Sequence, residues 1–100
     1  MDANQAVAVA RVGARSQMIG RAGSDLFGAI ARDRLDELGV GRDHLIFAEH
    51  VVAGVAQIKI DARGENCVIV IGDANMTVDQ AMVDHAETTL RAAPVLLVQL

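Results

Sequence analysis

The stretch RSQMIGRAGSDLFGAIARDRLDELG (residues 15–39) decides the fold, because a strand pattern leads directly into a helix pattern within it. Residues 15–19 are interpreted as a short strand, which the glycine-bounded turn 20–23 closes. The segment 25–38 carries apolar side chains at the spacing of an amphipathic helix that ends at Gly39. These side chains belong to Leu26, Phe27, Ile30, Ala31, Leu35 and Leu38.

Segments near both ends of the sequence extend this alternation. Residues 4–12 (NQAVAVARV) are rich in alanine and are predicted to form a helix that ends at Gly13. The shorter run Val7–Val9 would also suit a strand, and both interpretations stay open here. Pro94 is followed by the apolar run 95–98, which predicts a buried strand.

Two helix starts carry capping signals. Ser24 or Asp25 is expected to cap the helix over 25–38. Thr77 and Gln80 have the spacing of a capping box at the start of a helix predicted over 78–92.

Residues 51–61 and 66–71 show the clearest strand pattern, and 62–65 suits a hairpin loop. The first strand places three apolar side chains on one face, namely Ala56, Ile58 and Ile60. The resulting order is helix, strand, helix, hairpin, helix, strand. It predicts an α/β fold with a parallel sheet and an antiparallel hairpin. Because such apolar parallel strands need cover on both faces, we expect the chain to be part of a larger sheet domain.

Composition excludes several classes of function. The chain has 100 residues, a formal charge of −4 and no basic face, so no nucleic-acid partner is expected. Its longest apolar run, 67–71, is far shorter than the ~20 residues that span a bilayer. Residues 1–5 lack the basic and apolar regions of a signal peptide, so none is expected. We therefore expect no membrane partner and a cytoplasmic location. The single cysteine, Cys67, is predicted to pack as a small apolar group.

Common catalytic motifs are absent from the sequence, including the P-loop, the dinucleotide-binding glycine pattern and zinc-protease motifs. His44 and His50 are placed in a loop over 40–50, and no histidine is assigned a catalytic role. Asn4 and Gln5 lie at a predicted helix N-terminus, where free N–H groups and an amide side chain suit a polyol. A simple helix cap remains the alternative.

Several of these segments resemble the PfkB-type carbohydrate kinases, and their sequences are most similar to the ribokinase type. The shared stretches are ANQAVAVARVGA, MIGRAGSDLFG, GVAQIKIDARGEN and LLVQL, which together cover nearly the whole chain. The resemblance implies a Rossmann-like α/β domain in which 54–71 is a small β lid. It also implies phosphoryl transfer from ATP, with Mg²⁺, to a primary hydroxyl of ribose or a similar sugar.

The same resemblance implies roles for four residues. Asn4 corresponds to the family's sugar-hydroxyl ligand, and the lid residues that cover the sugar correspond to Ala56, Ile58 and Val70. Lid strands in ribokinases also pair between subunits, so the hairpin is a candidate homodimer element.

The sequence also departs from the family pattern. Asp2 and Asp73 stand at positions where the family has glycine, and a carboxylate in place of the first glycine is expected to crowd the sugar site. The family's catalytic base, ATP site and Mg²⁺-linked motif do not occur in 1–100. We therefore expect a fragment of a ribokinase-like domain that has no cofactor-binding residues and is inactive alone. The family consists of enzymes, but whether this chain is itself an enzyme stays open. The alternatives are a non-catalytic dimerisation module, a gene remnant or another PfkB-type sugar kinase.

Overall fold

The computed structural model describes residues 2–99, apart from the side chain of Asp2, whose predicted effect on the sugar site falls outside the described part. Its helices are α1 (Asp2–Arg11), α2 (Leu26–Glu37), α3 (Gln80–His85) and α4 (Glu87–Ala92). Its strands are β1 (Gln17–Gly23), β2 (Gly41–Ala48), β3 (Val55–Ile60) and β4 (Asn66–Ile71), and a 3-10 helix spans Asp73–Thr77.

A parallel pair of strands forms the centre of the fold. Gly20 of β1 is in register with Leu45 of β2. Leu45 is buried with Leu35 of α2 and Val40, and each such side chain contributes about 1.5–3 kcal/mol. Half-buried residues of α1 and the strands surround this cluster, namely Ala3, Ala6, Val7, Ala10, Met18, Ala22 and Phe47. The predicted α/β class is confirmed.

Two predictions about the central sheet are wrong. The first strand covers Gln17–Gly23, so the segment 20–23 is strand and not a turn. Gly23 is required there because a Cβ would come within 2.1 Å of the backbone nitrogen of Ala53. The predicted loop 40–50 contains β2, because pairing with β1 and burial of Leu45 favour an extended backbone. His44 therefore lies in a strand.

The two long helices agree more closely with the predictions from the sequence. α1 is helical through Val7–Val9, which excludes the strand alternative, and Gly13 follows it with φ +86°. α2 begins after Asp25, whose side chain accepts the N–H of Gly28, so Asp25 and not Ser24 is its cap.

β3 and β4 form an antiparallel hairpin in which Val55 pairs with Ile71 and Ile60 with Asn66. β3 begins at Val55, four residues later than predicted. Asp61 shapes the loop, because its Oδ1 accepts the N–H groups of Arg63 and Glu65. Both faces of the hairpin are exposed, so the prediction that Cys67 is packed is wrong.

The helix predicted over 78–92 is two short helices that meet at the buried residue Ala86. Asp79 caps α3 by accepting the N–H of Met82, whereas Thr77 donates its hydroxyl to the carbonyl of Ala74. The predicted capping box is therefore wrong. The apolar run 95–98 is exposed and is not a strand, because it has no neighbouring strand within 2–99. Within the same range, the helices are too short and too polar to cross a membrane.

Candidate functional site

The first turn of α1 presents Asn4 at the surface. Asn4 is exposed and is the third residue of the helix. The first N–H groups of a helix have no acceptor within it, and the Asn amide adds both a donor and an acceptor. This end of α1 can therefore form hydrogen bonds with a hydroxyl-rich ligand.

A groove of about 200 Å³ lies beside this turn. It is lined on one side by Ala3, Gly28 and Ala31, which belong to the two long helices. Along β1 it touches Met18, Arg21 and Ala22, with Leu45 of β2 behind them. Ala53, Gly54 and Asn75 close the end near the hairpin.

Asp25 holds the groove's end in place. Its Oδ1 accepts the N–H of Gly28 and the N–H of Ala53, each at 3.1 Å. One carboxylate thereby joins the start of α2 to the segment that leads into the hairpin. The charge also lies at a helix N-terminus, where the helix dipole favours it.

Gly54 and Asn75 are in close contact at the same end. A Cβ at Gly54 would lie 2.4 Å from Nδ2 of Asn75 and 3.1 Å from the carbonyl oxygen of Gly72. With a Cβ at position 54, the side chain of Asn75 would have to move away. Asp73 has φ +31°, close to the left-handed region that favours glycine.

The hairpin brings three of the predicted site residues onto one face. Ala56 is the direct partner of Val70, and Ile58 pairs with Val68 next to them. This face is exposed, with 61% of Ile58 and 71% of Val70 accessible. It is an apolar surface without cover from the described residues.

Neither Asn4 nor this face of the hairpin lines the groove, but residues close to each of them do. Asn4 directly follows Ala3, and Ala56 lies two residues beyond Gly54. Ala3 and Gly54 line the same groove. The structure therefore places the first turn of α1 next to the base of the hairpin.

Charge in the groove comes from Arg21. Its Nη2 lies 3.7 Å from Asp79 Oδ2, whereas its Nε is buried and has no hydrogen-bond partner among the described residues. No cluster of three or more His, Cys, Asp or Glu side chains occurs in the described part of the chain.

Sequence reasoning missed three members of this region. The sequence indicates Asp25 only as a candidate helix cap and predicts Arg21 in a turn, and it assigns no site role to Asn75. Alternation along a strand that included 20–23 would have identified Arg21 as a side chain on one face of β1. No local pattern indicated the contacts of Asp25 with Ala53 or of Asn75 with Gly54.

Comparison with known proteins gives consistent matches. The family described as "pfkB family carbohydrate kinase" matches residues 2–99. Ribokinase from Bacillus subtilis (strain 168) is 34% identical over 97 residues, which is 97% of this chain and 33% of the relative. This chain thus spans about a third of the length of the curated relatives that it matches.

Solved structures of a fructokinase and a ribokinase are also similar to this chain. Fructokinase from Xylella fastidiosa superposes with a TM-score of 0.73 at 33% identity, over 80% of this chain and 25% of that one. Ribokinase from Cryptococcus neoformans var. grubii serotype A, in complex with ADP, gives 0.70 at 36% identity, over 78% of this chain and 24% of that one.

Proposed function

We propose, because this chain belongs to the pfkB family of carbohydrate kinases, that residues 2–99 form the sugar-binding part and lid of a ribokinase-like enzyme. The reaction would transfer the γ-phosphoryl group of ATP to a primary hydroxyl of ribose or a similar sugar. The observation that carries the proposal is the groove that is lined both by Ala3, beside Asn4, and by Gly54 at the base of the hairpin.

Asn4 would hold a sugar hydroxyl, because its amide donates and accepts and the first N–H groups of a helix have no acceptor within that helix. The hairpin over 54–71 would act as the lid. Ala56, Ile58 and Val70 would cover the sugar with apolar surface and exclude water from the transferred group.

ATP would supply the phosphoryl group, and Mg²⁺ would neutralise its developing charge. The described residues contain no acidic cluster suited to Mg²⁺, so we assign no step through either group to them. We expect the 100-residue chain alone to be inactive. We also propose that the enzyme as a whole acts in the cytoplasm.

A chimera tests this function. Residues 2–99 replace the matched stretch of Bacillus subtilis ribokinase, and ATP-dependent phosphorylation of ribose, deoxyribose and fructose is measured. We expect turnover with ribose and none from the 100-residue chain under the same conditions. A folded chimera that phosphorylates none of the three sugars would contradict the proposal.

Variants of the chimera test the residue roles. Asn4→Ala should raise the KM for ribose about tenfold or more and leave the KM for ATP unchanged, because only a sugar contact is lost. Arg11→Ala, at the exposed opposite end of α1, is the matched control. Ile58→Asn should lower kcat/KM for ribose, whereas Gln57→Asn on the opposite hairpin face should not.

We also propose that the hairpin pairs two copies of the enzyme. The support is its exposed apolar side chains on both faces, among them Val68 and Ile69. Sedimentation of the chimera should show a dimer that Ile69→Lys converts to a monomer, and a monomeric parent chimera would contradict the pairing.

A further inference from the structure

The three residues that lead into the hairpin, 51–53 (the connector), are held by other parts of the fold. Each of them makes one hydrogen bond to a residue outside the hairpin. The three bonds are Ser24 N–H to Val51 O at 3.2 Å, Ala74 N–H to Val52 O at 3.3 Å and Ala53 N–H to Asp25 Oδ1 at 3.1 Å. Gly23 of β1 also lies so close that a Cβ there would overlap the connector's backbone. The connector is therefore fixed to the sheet and to the start of α2.

The hairpin begins and ends at glycine. Gly54 directly precedes β3, and Gly72 directly follows β4. Val55 pairs with Ile71, so the two glycines lie side by side at the hairpin's base. Glycine has the widest range of backbone angles, and hinges are formed by a few residues that absorb changes in φ and ψ. Rotation of the hairpin against the rest of the fold would therefore occur at these two glycines.

Asp25 supplies the last fixed point before this hinge. Its carboxylate binds Ala53, which is the residue next to Gly54. The same oxygen caps α2 through Gly28, and α2 packs on the buried cluster through Leu35. The hydrogen bond to Ala53 thus ties a packed helix to the residue beside the hinge.

We propose that Asp25 is a positioning residue of the sugar kinase, because through Ala53 it sets the direction in which the hairpin leaves the fold. It thereby places the apolar face that would cover the sugar, formed by Ala56, Ile58 and Val70. Asp25 acts through the backbone and not on a reacting group. This inference rests on the proposed function, in which the hairpin is the lid of the sugar site.

Asp25→Ser separates this role from helix capping. Serine is as good a helix N-cap as aspartate, but its hydroxyl ends one bond nearer to the backbone. It should keep the bond to Gly28 and lose the bond to Ala53. Asp25→Asn retains a carbonyl oxygen at the length of the carboxylate and should behave as the parent. Asp79→Ser is the matched control, because Asp79 caps α3 through Met82 and has no hydrogen bond to the connector among the described residues.

Kinetics of the chimera with Bacillus subtilis ribokinase give the first test. Asp25→Ser should raise the KM for ribose about fivefold or more and leave the KM for ATP unchanged, since only the cover of the sugar is displaced. Water should also reach the γ-phosphoryl group more often, so that more ATP is hydrolysed per ribose phosphorylated. A purely structural loss would lower the amount of folded enzyme and change neither quantity. Asp79→Ser and Asp25→Asn should keep both parent values.

Spin labels test the hairpin's direction without the reaction. Cys67, the single cysteine of the 100-residue chain, is exposed on β4 and carries one label. Asp33→Cys adds the second label at an exposed position of α2. Pulsed electron paramagnetic resonance should give a broader distribution of label distances in Asp25→Ser than in the parent or in Asp79→Ser. If the free chain is poorly folded, the same pair of labels is measured in the chimera, with its cysteines outside residues 2–99 changed to serine.

The two measurements separate the role of Asp25 from the sugar reaction. Parent values of KM and label distance in Asp25→Ser would overturn the proposal, and so would equal changes in Asp79→Ser. A broadened distance distribution with an unchanged KM for ribose would also overturn it, because the hairpin's direction would then not matter to catalysis. A folded chimera that phosphorylates no sugar would contradict the proposed function alone, since the label distances would still report whether Asp25 directs the hairpin.

Discussion

One carboxylate oxygen of Asp25 accepts the backbone N–H of Ala53 at 3.1 Å, although 28 residues separate the two in the sequence. The same oxygen accepts the N–H of Gly28 and so caps α2. Asp25 therefore fixes both the start of a helix and the approach to the hairpin, and this shared acceptor keeps the groove's end in shape.

Replacement of Asp25 should destabilise the fold. Asp25→Ala removes the acceptor for two N–H groups and should lower the free energy of unfolding by about 1–3 kcal/mol. Asp25→Asn keeps an acceptor oxygen and should cost less. Urea denaturation of the purified chain measures both values.

Asp33→Ala is the matched control for Asp25. Asp33 is exposed on α2 and its hydrogen bond is to the neighbouring Arg32. Its replacement should change the free energy of unfolding by less than about 0.5 kcal/mol. Equal losses for Asp25→Ala and Asp33→Ala would show that the contact with Ala53 does not stabilise the protein.

A side chain at position 54 should destabilise the fold while Asn75 is present. Gly54→Ala places a Cβ 2.4 Å from Nδ2 of Asn75, and such overpacking costs about 1–3 kcal/mol. In an Asn75→Ala background, the same change should cost less because the amide is gone. A double-mutant cycle from urea denaturation measures this difference. Additive losses would place the clash elsewhere.

The sequence predicted correctly those helices and strands that follow from local patterns. α1, α2 and the hairpin follow from periodicity, glycines at helix ends and alternation. The turn at 20–23 was wrong because those glycines serve close backbone packing, and β2 was missed because it depends on pairing with β1. The strand predicted at 95–98 is wrong because an apolar run forms a strand only beside a neighbouring strand, and residues 2–99 provide none there.

The site could be predicted from the sequence only where its residues alternate along one strand. Alternation placed Ala56 and Ile58 on one face, and the register adds Val70 opposite. The role of Asn4 came from the family resemblance and stays a prediction. The groove joins residues from distant segments, and no single-sequence pattern specifies which segments meet.

The stability of the chain should depend on pH through Asp36. Arg42 holds the pKa of Asp36 below its ordinary value of 3.8 by a side-chain hydrogen bond, with Nη2 2.8 Å from Oδ2. A lowered pKa in the folded state stabilises the protein above the ordinary pKa, and this contribution is lost as pH falls through the folded-state value.

Thermal unfolding between about pH 5 and pH 2 checks this dependence. The parent should lose more stability than Asp36→Asn over that range, by a small margin because the pair is exposed. Glu49→Gln, also exposed, is the control and should follow the parent. Parallel curves for the parent and Asp36→Asn would contradict the assignment.

The last helix should depend on one hydrogen bond to the sheet. Nε2 of His44 in β2 lies 2.8 Å from Oγ1 of Thr89 in α4, in a partly buried contact 45 residues apart in the sequence. Thr89→Val keeps the shape but removes the bond, so the free energy of unfolding should fall by about 1 kcal/mol. Amides of α4 should also exchange faster, because the helix is short and loses a tether. Thr88→Val, the same change at the exposed neighbouring position, should alter neither quantity. Equal effects of the two variants in urea denaturation and hydrogen exchange would show that the loss of a threonine hydroxyl as such, and not of the bond to His44, destabilises α4.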